Sequence, residues 1–170
     1  VRLFFALWPP RDTARALGAW ARGVQARSGG KVIPQESIHL TLVFLGEADP
    51  EKAAAAARRV RGARCELPLE LPEYRKRQRI VWVGPGAIPA ALAALARDLR
   101  NELLAEGCAL EARGFQAHVT LLRKARDPGT LPALPALGWA VDEFVLMRST
   151  LSSGGSIYET LERFALTPGS

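Results

Sequence analysis

Cysteine and histidine are almost absent, with two of each in 170 residues. Cys65 and Cys108 lie far apart and form no CxxC or other ligand-spaced cluster. This excludes a disulfide scaffold and a thiolate metal centre, and it predicts reduced, buried thiols of the kind found in cytoplasmic proteins. The histidines, His39 and His118, have no i,i+4 partner and no nearby carboxylate cluster to complete the three or four ligands a metal needs, so neither metal nor cofactor is expected. No apolar run approaches a bilayer's span, and Arg2 to Trp8 is too short and wrongly flanked for a signal peptide. The expectation is therefore a soluble cytoplasmic monomer without a membrane partner. There is no G-x-S-x-G elbow, and nothing marks Cys108 or Ser37 as an activated nucleophile.

Acidic residues are outnumbered, 17 against 23 Lys and Arg, for a formal charge of +6. The cations bunch at Arg58-Arg59-Val60-Arg61, Arg75-Lys76-Arg77-Gln78-Arg79 and Arg123-Lys124-Ala125-Arg126. Such a surface attracts polyanions by counterion release, although each run also fits an ordinary solvated face.

With 48% hydrophobic residues the chain is long enough for one compact domain spanning 1–170. Val1 to Leu7 reads as a buried strand ended by Pro9-Pro10. The helix that follows, capped by Asp12 or Thr13, carries Ala16, Leu17, Trp20 and Val24 at helical spacing and stops at Gly29-Gly30. Lys31 to Ile33 is extended, Pro34 to Ser37 a loop, His39 to Leu45 a strand, and Pro50 opens an alanine-rich helix reaching about Ala63. Cys65 to Leu71 and Ile80 to Val83 read as strands flanking a basic loop or hairpin, Glu73 to Arg79. Ile88 to Glu106 is a helix with a Leu92, Leu95, Leu99, Leu103 stripe. Phe115 to Leu122 is the next strand, Asp127 to Gly138 a proline-rich connection, and Ala140 to Leu151 with Ile157 to Leu166 a strand pair turning at Ser152 to Gly155. The class is α+β. The first half's HLTL segment is echoed by HVTL in the second, and two similar lobes facing one cleft explain the echo most simply.

On a strand, residues two apart share a face. His39 with Thr41, and His118 with Thr120, therefore project to one side, while Leu40, Leu42 and Phe44, or Val119 and Leu121, anchor the other. Two imidazoles with ordinary pKa values near 6.5 can sit one neutral and one protonated at neutral pH. One then takes a proton from water and the other gives one to a leaving oxygen, while the threonine hydroxyls donate to phosphate oxygens, a division of labour suited to displacement at phosphorus. The residues alone do not say which histidine is the acid.

These blocks resemble the two-histidine (2H) phosphoesterase superfamily, in its RNA 2',3'-cyclic phosphodiesterase (2'-5' RNA ligase-like) branch. The resemblance runs over nearly the whole chain: RLFFAL followed by PP, P-x-x-x-x-HLTLVFLG from Pro34, RIVWVG from Arg79, F-x-x-HVTLLR from Phe115, and DEFVLMRSTL with a later Y-x-x-L-x-x-F. It implies a bilobal α+β domain in which two antiparallel sheets, related by pseudo-two-fold symmetry, face a central cleft with helices outside. It also implies metal-independent hydrolysis of an RNA or nucleoside 2',3'-cyclic phosphate to the 2'-phosphomonoester, with some members showing reversible 2'-5' ligation. By the same resemblance His39 is the general acid toward the 3' oxygen, His118 the general base toward water, and Thr41, Thr120 and Arg123 are phosphate ligands. Strict alternation puts Arg123 opposite His118, so its role requires the strand to end or twist first. Phe44 and Phe115 are expected in the core, with base stacking at the cleft rim as the alternative. Ala117 stands where the family often has proline, and Trp8 where a polar residue is more usual; no role is expected for Trp8. Two other functions stay open: a non-catalytic RNA-end binder, or a 2H enzyme for another substrate such as 2'-5' oligonucleotides or ADP-ribose cyclic phosphate.

Overall fold

The computed structural model describes residues 1–112 and 114–168. In chain order the elements are β1 (Arg2–Leu7), α1 (Arg11–Ser28), β2 (Lys31–Val32), a single 3-10 turn (Gln35–Ser37), β3 (Leu40–Glu47), α2 (Pro50–Arg58), β4 (Cys65–Leu69), β5 (Leu71–Arg75), β6 (Ile80–Gly84), α3 (Ala90–Ala105), β7 (Val119–Arg123), β8 (Leu137–Val141), β9 (Glu143–Ser152) and β10 (Gly155–Ala165).

Every strand pairing in the sheets is antiparallel. β10-β9-β1-β3 forms one half and β7-β6-β5, with β2 also on β7, the other, while β4 and β8 make a separate two-stranded sheet. The halves meet at one register pair, Leu40 opposite Val119. Each of these residues directly follows a histidine, so the seam between the lobes carries both His-x-Thr segments to the same place. Leu40 and Val119 are fully buried and belong to the main core, which also takes Phe5, Leu17, Val24, Leu95, Leu99, Leu121 and Leu122 from the sheet's back face and the helices. The opposite face has its own small cluster of Phe4, Ala6, Val145 and Met147, with Trp8 and Tyr158 against it.

Several boundaries move for physical reasons. Pro10, not Asp12 or Thr13, stands at the α1 N-cap; its side chain has no acceptor to make a cap bond, and its ring-fixed φ of −57° sets the entry of the chain instead. Asp12 falls inside the first turn, where it meets Arg15 at 3.4 Å. The alanine-rich helix ends at Arg58, well before Ala63, because the C-terminal segment claims the backbone beyond it: Thr167 N donates to Gly62 O and Arg64 N to Thr167 O. The strand expected over Ala140 to Leu151 splits at Asp142 into β8 and β9, which belong to different sheets. The extended piece before His118 is not a strand, and β7 begins at Val119. Both thiols are free and half-buried, and burial pushes each pKa up. No described helix is long and apolar enough to cross a membrane.

Candidate active site

One irregularity, repeated in each lobe, shapes the cleft. In β3 the register against β1 runs Ala6 to Thr41 and then Phe5 to Val43, so Leu42 is an extra residue. In β7 the register against β6 runs Trp82 to Thr120 and then Val81 to Leu122, so Leu121 is extra. A bulge shifts the phase of alternation. Leu42 and Val43, like Leu121 and Leu122, are therefore both buried, and the residue after each pair turns to the cleft. That residue is Arg123 in one lobe and Phe44 in the other, each five positions after its histidine. The bulge supplies the phase change that Arg123 needs to share a face with His118 and Thr120. It also overturns the core assignment of Phe44, which is 40% exposed and lies parallel to Phe4 with centroids 6.3 Å apart. Phe115 is half-buried at the edge of the core.

His39 sits between the 3-10 turn and β3. Its Nδ1 lies 2.7 Å from Ser37 O, an atom that can only accept, so Nδ1 carries a proton and Nε2 is left for the cleft. Trp8 stacks on the ring at 4.7 Å and 11°, held there by an Nε1 bond of 3.0 Å to Glu36 O. Tyr158 meets the ring edge-on at 5.4 Å and Phe4 lies at 5.2 Å. Enclosed this way, His39 has its pKa lowered by burial. The Ser37 bond works in the opposite direction, and the Arg123 charge adds to the lowering.

The second histidine is walled in comparably. The Trp82 ring centroid lies 3.9 Å from that of His118, and its Nε1 donates to Glu73 at 3.0 Å while the Arg75 guanidinium lies over the indole at 4.8 Å. Gly84 packs against the chain just before His118, where a Cβ would stand 2.6 Å from Ala117 O. His39, Thr41, His118, Thr120 and Arg123 all line one cavity of about 550 Å³, with Tyr158 beside them. A second cavity of about 330 Å³ shares Thr41 and His118 and is walled by Phe44, Phe115 and Arg100. Among the described residues no three His, Cys, Asp or Glu side chains gather where a metal could be held.

Residues 9–152 match the 2'-5' RNA ligase superfamily. The chain belongs to that superfamily. It is 36% identical to the RNA 2',3'-cyclic phosphodiesterase of Escherichia coli K12, covering 98% of this chain and 97% of that one. The Thermus thermophilus protein of the same name is also 36% identical, over 98% and 90% of the two chains. The crystal structure of E. coli LigT complexed with 3'-AMP superposes with a TM-score of 0.89 at 35% identity, over 98% of each chain.

Within this superfamily framework the five residues singled out in the sequence come together in one cavity; Tyr158 lines it with them, and Trp8 and Trp82, each against one histidine ring, were not anticipated. A signal for Trp8 was present: Phe4, Ala6 and Trp8 keep period two along β1, so a cleft-facing Phe4 carries Trp8 with it. Trp82 had no comparable signal, because its partnership with Thr120 depends on a cross-strand register.

Proposed function

We propose that this chain hydrolyses RNA and nucleoside 2',3'-cyclic phosphates to 2'-phosphomonoesters, with His39 as general acid and His118 as general base. The single observation that carries this reading is the convergence of both His-x-Thr pairs and Arg123 on one cavity. It is supported by full-length similarity to proteins named for this activity.

The cyclic phosphate sits between the threonine hydroxyls and the Arg123 guanidinium, which donate to its non-bridging oxygens as charge builds in the transition state. His118 accepts a proton from water while the water oxygen bonds to phosphorus. The bond from phosphorus to the 3' oxygen breaks, and that oxygen takes the proton of His39. The product carries a 2'-phosphate and a free 3'-hydroxyl, and the two histidines exchange their protonation states with solvent before the next turnover. An RNA 5'-hydroxyl in place of water gives a 2'-5' phosphodiester by the same bond changes. Burial lowers the proton affinity of His39 in the free enzyme, and the negative phosphate draws a proton back to it on binding. Phe44 offers an exposed ring beside the reacting centre for a nucleobase.

The test is incubation with the four nucleoside 2',3'-cyclic phosphates in EDTA, with identification of the monoester isomer. Turnover to the 2' isomer, lost by about 10²–10⁴-fold in His39→Ala and in His118→Ala, is expected. A 3' product reverses the leaving-group assignment. No turnover, with both variants indistinguishable from wild type, overturns the reading.

A further inference from the structure

Within the cationic runs of the sequence some side chains are ion-paired and others, Arg61, Lys76 and Arg77 among them, are exposed without an ion pair among the described residues. Arg58 is held by both oxygens of Glu162 at 3.0 and 2.7 Å, Arg59 by Glu102 at 2.7 Å and Glu106 at 2.8 Å, and Arg75 by Glu73 at 2.9 Å. Lys31, Arg79, Arg123, Lys124 and Arg126 are exposed and form no ion pair among the described residues.

The fold works against charge repulsion to keep these cations together. Lys31 and Arg123 are register partners in β2 and β7, so two like charges face one another across a strand pair, an unfavourable placement without an anion. Arg79 and Lys124 both take left-handed backbone conformations, φ 58° and 57°, which are uncommon for residues with side chains. They are locked to each other: Ala125 N donates to Arg79 O at 2.9 Å, and Arg79 Nη2 to Lys124 O at 3.4 Å. Gly30, at φ 87°, lets the turn press in, since a Cβ there would stand 2.5 Å from Arg123 O. Arg126 N donates to Ser28 O at the end of α1. Strain and repulsion concentrated at one place are features that functional sites retain. Lys31, Arg123 and Lys124 line the cavity that holds both histidines, and the Arg126 guanidinium lies against Gly29, just past the end of α1.

We infer that Lys31, Lys124 and Arg126 form a shelf for the phosphodiester backbone of the RNA strand that ends in the cyclic phosphate, upstream of the terminal nucleotide. The inference rests on the phosphodiesterase reading and makes the enzyme one for strand ends in preference to free nucleotides. The strand carrying the cyclic phosphate is the one always present in hydrolysis, and its backbone needs only exposed, unpaired cations to neutralise it.

The experiment compares a tetranucleotide ending in a 2',3'-cyclic phosphate with the matching nucleoside 2',3'-cyclic phosphate, in wild type and in the triple variant Lys31→Gln, Lys124→Asn, Arg126→Gln. Asparagine is chosen at 124 because it tolerates the left-handed conformation. Wild type is expected to have a higher kcat/KM for the tetranucleotide, falling steeply with salt. In the variant that value drops at least ten-fold, and the log-log salt slope becomes shallower by about 2, from about 0.7 per cation on a single strand. The mononucleotide changes less than three-fold. The charge-keeping variant Lys31→Arg, Lys124→Arg, Arg126→Lys retains wild-type values, which separates charge from folding. A tetranucleotide no better than the mononucleotide in wild type, or equal losses on both substrates, overturns the shelf. If wild type hydrolyses neither, the phosphodiesterase reading fails, and tetranucleotide binding by fluorescence anisotropy then decides the shelf by the same ten-fold criterion.

Discussion

Trp8 lies parallel to His39 with ring centroids 4.7 Å apart, and its indole N–H is tied to Glu36 O, the residue before the Ser37 carbonyl that holds His39 Nδ1. One tryptophan thus covers the imidazole face and braces the turn that orients it. Trp8→Ala lets water reach the ring. The His39 pKa, lowered first by burial, rises toward the ordinary value near 6.5. Imidazole proton NMR reads the rise directly, and the limb of the pH profile that follows His39 moves to higher pH. An unmoved His39 titration in Trp8→Ala contradicts this account.

Stability carries the same signature. Because His39 binds its proton less readily folded than unfolded, the unfolded chain holds more protons in the interval between the two pKa values. Stability from this group is complete above about pH 6.5 and is lost as pH falls through the folded pKa. Urea midpoints measured between about pH 7.5 and 5 are expected to decline in wild type and to decline less in His39→Gln.

Arg123 tests the value of a planar donor fork. Arg123→Lys keeps the charge but not the paired N–H geometry, so kcat/KM is expected to fall about 10–100-fold, in line with about 1.5–3 kcal/mol for hydrogen bonds to charged groups. Arg123→Gln should lose more. In Arg123→Gln the His39 pKa also rises slightly, since the Arg123 charge contributes to its lowering. Steady-state kinetics with NMR titration checks both parts.

Gly84 tests how closely the second lobe is fitted. A methyl there meets Ala117 O at 2.6 Å, so either β6 or the segment leading into His118 must shift. Gly84→Ala is expected to cost about 1–3 kcal/mol of stability and to lower kcat more than it raises KM, because His118 is displaced while the phosphate ligands remain. Thermal melts and steady-state kinetics separate the two effects. Wild-type kcat in a folded variant runs against it.

The paired tetrapeptides and their apolar backing were legible in the sequence because strand alternation is local: His39 with Thr41, and His118 with Thr120, share a face whatever surrounds them. The long helices were legible for the same reason, through the Leu92 to Leu103 stripe and the α1 periodicity. Helix ends were less so: α2 stops at Arg58, and the residues the sequence would add to it include Gly62, whose carbonyl is taken by Thr167 from the other end of the chain.

Sequence by itself determined that this protein carries two imidazole and hydroxyl pairs on apolar-backed segments, an excess of cations and no metal-spaced ligand set, all of which depend on residue type and near-neighbour spacing. Tertiary structure decided the rest. The bulges at Leu42 and Leu121 turned Phe44 and Arg123 into the cleft, because an extra residue is defined only against a partner strand. The Leu40 to Val119 pair joined the lobes at the histidines, and the register of β6 against β7 set Trp82 beside the His118 ring. Such cross-strand relations join residues distant in sequence, and no local pattern encodes them.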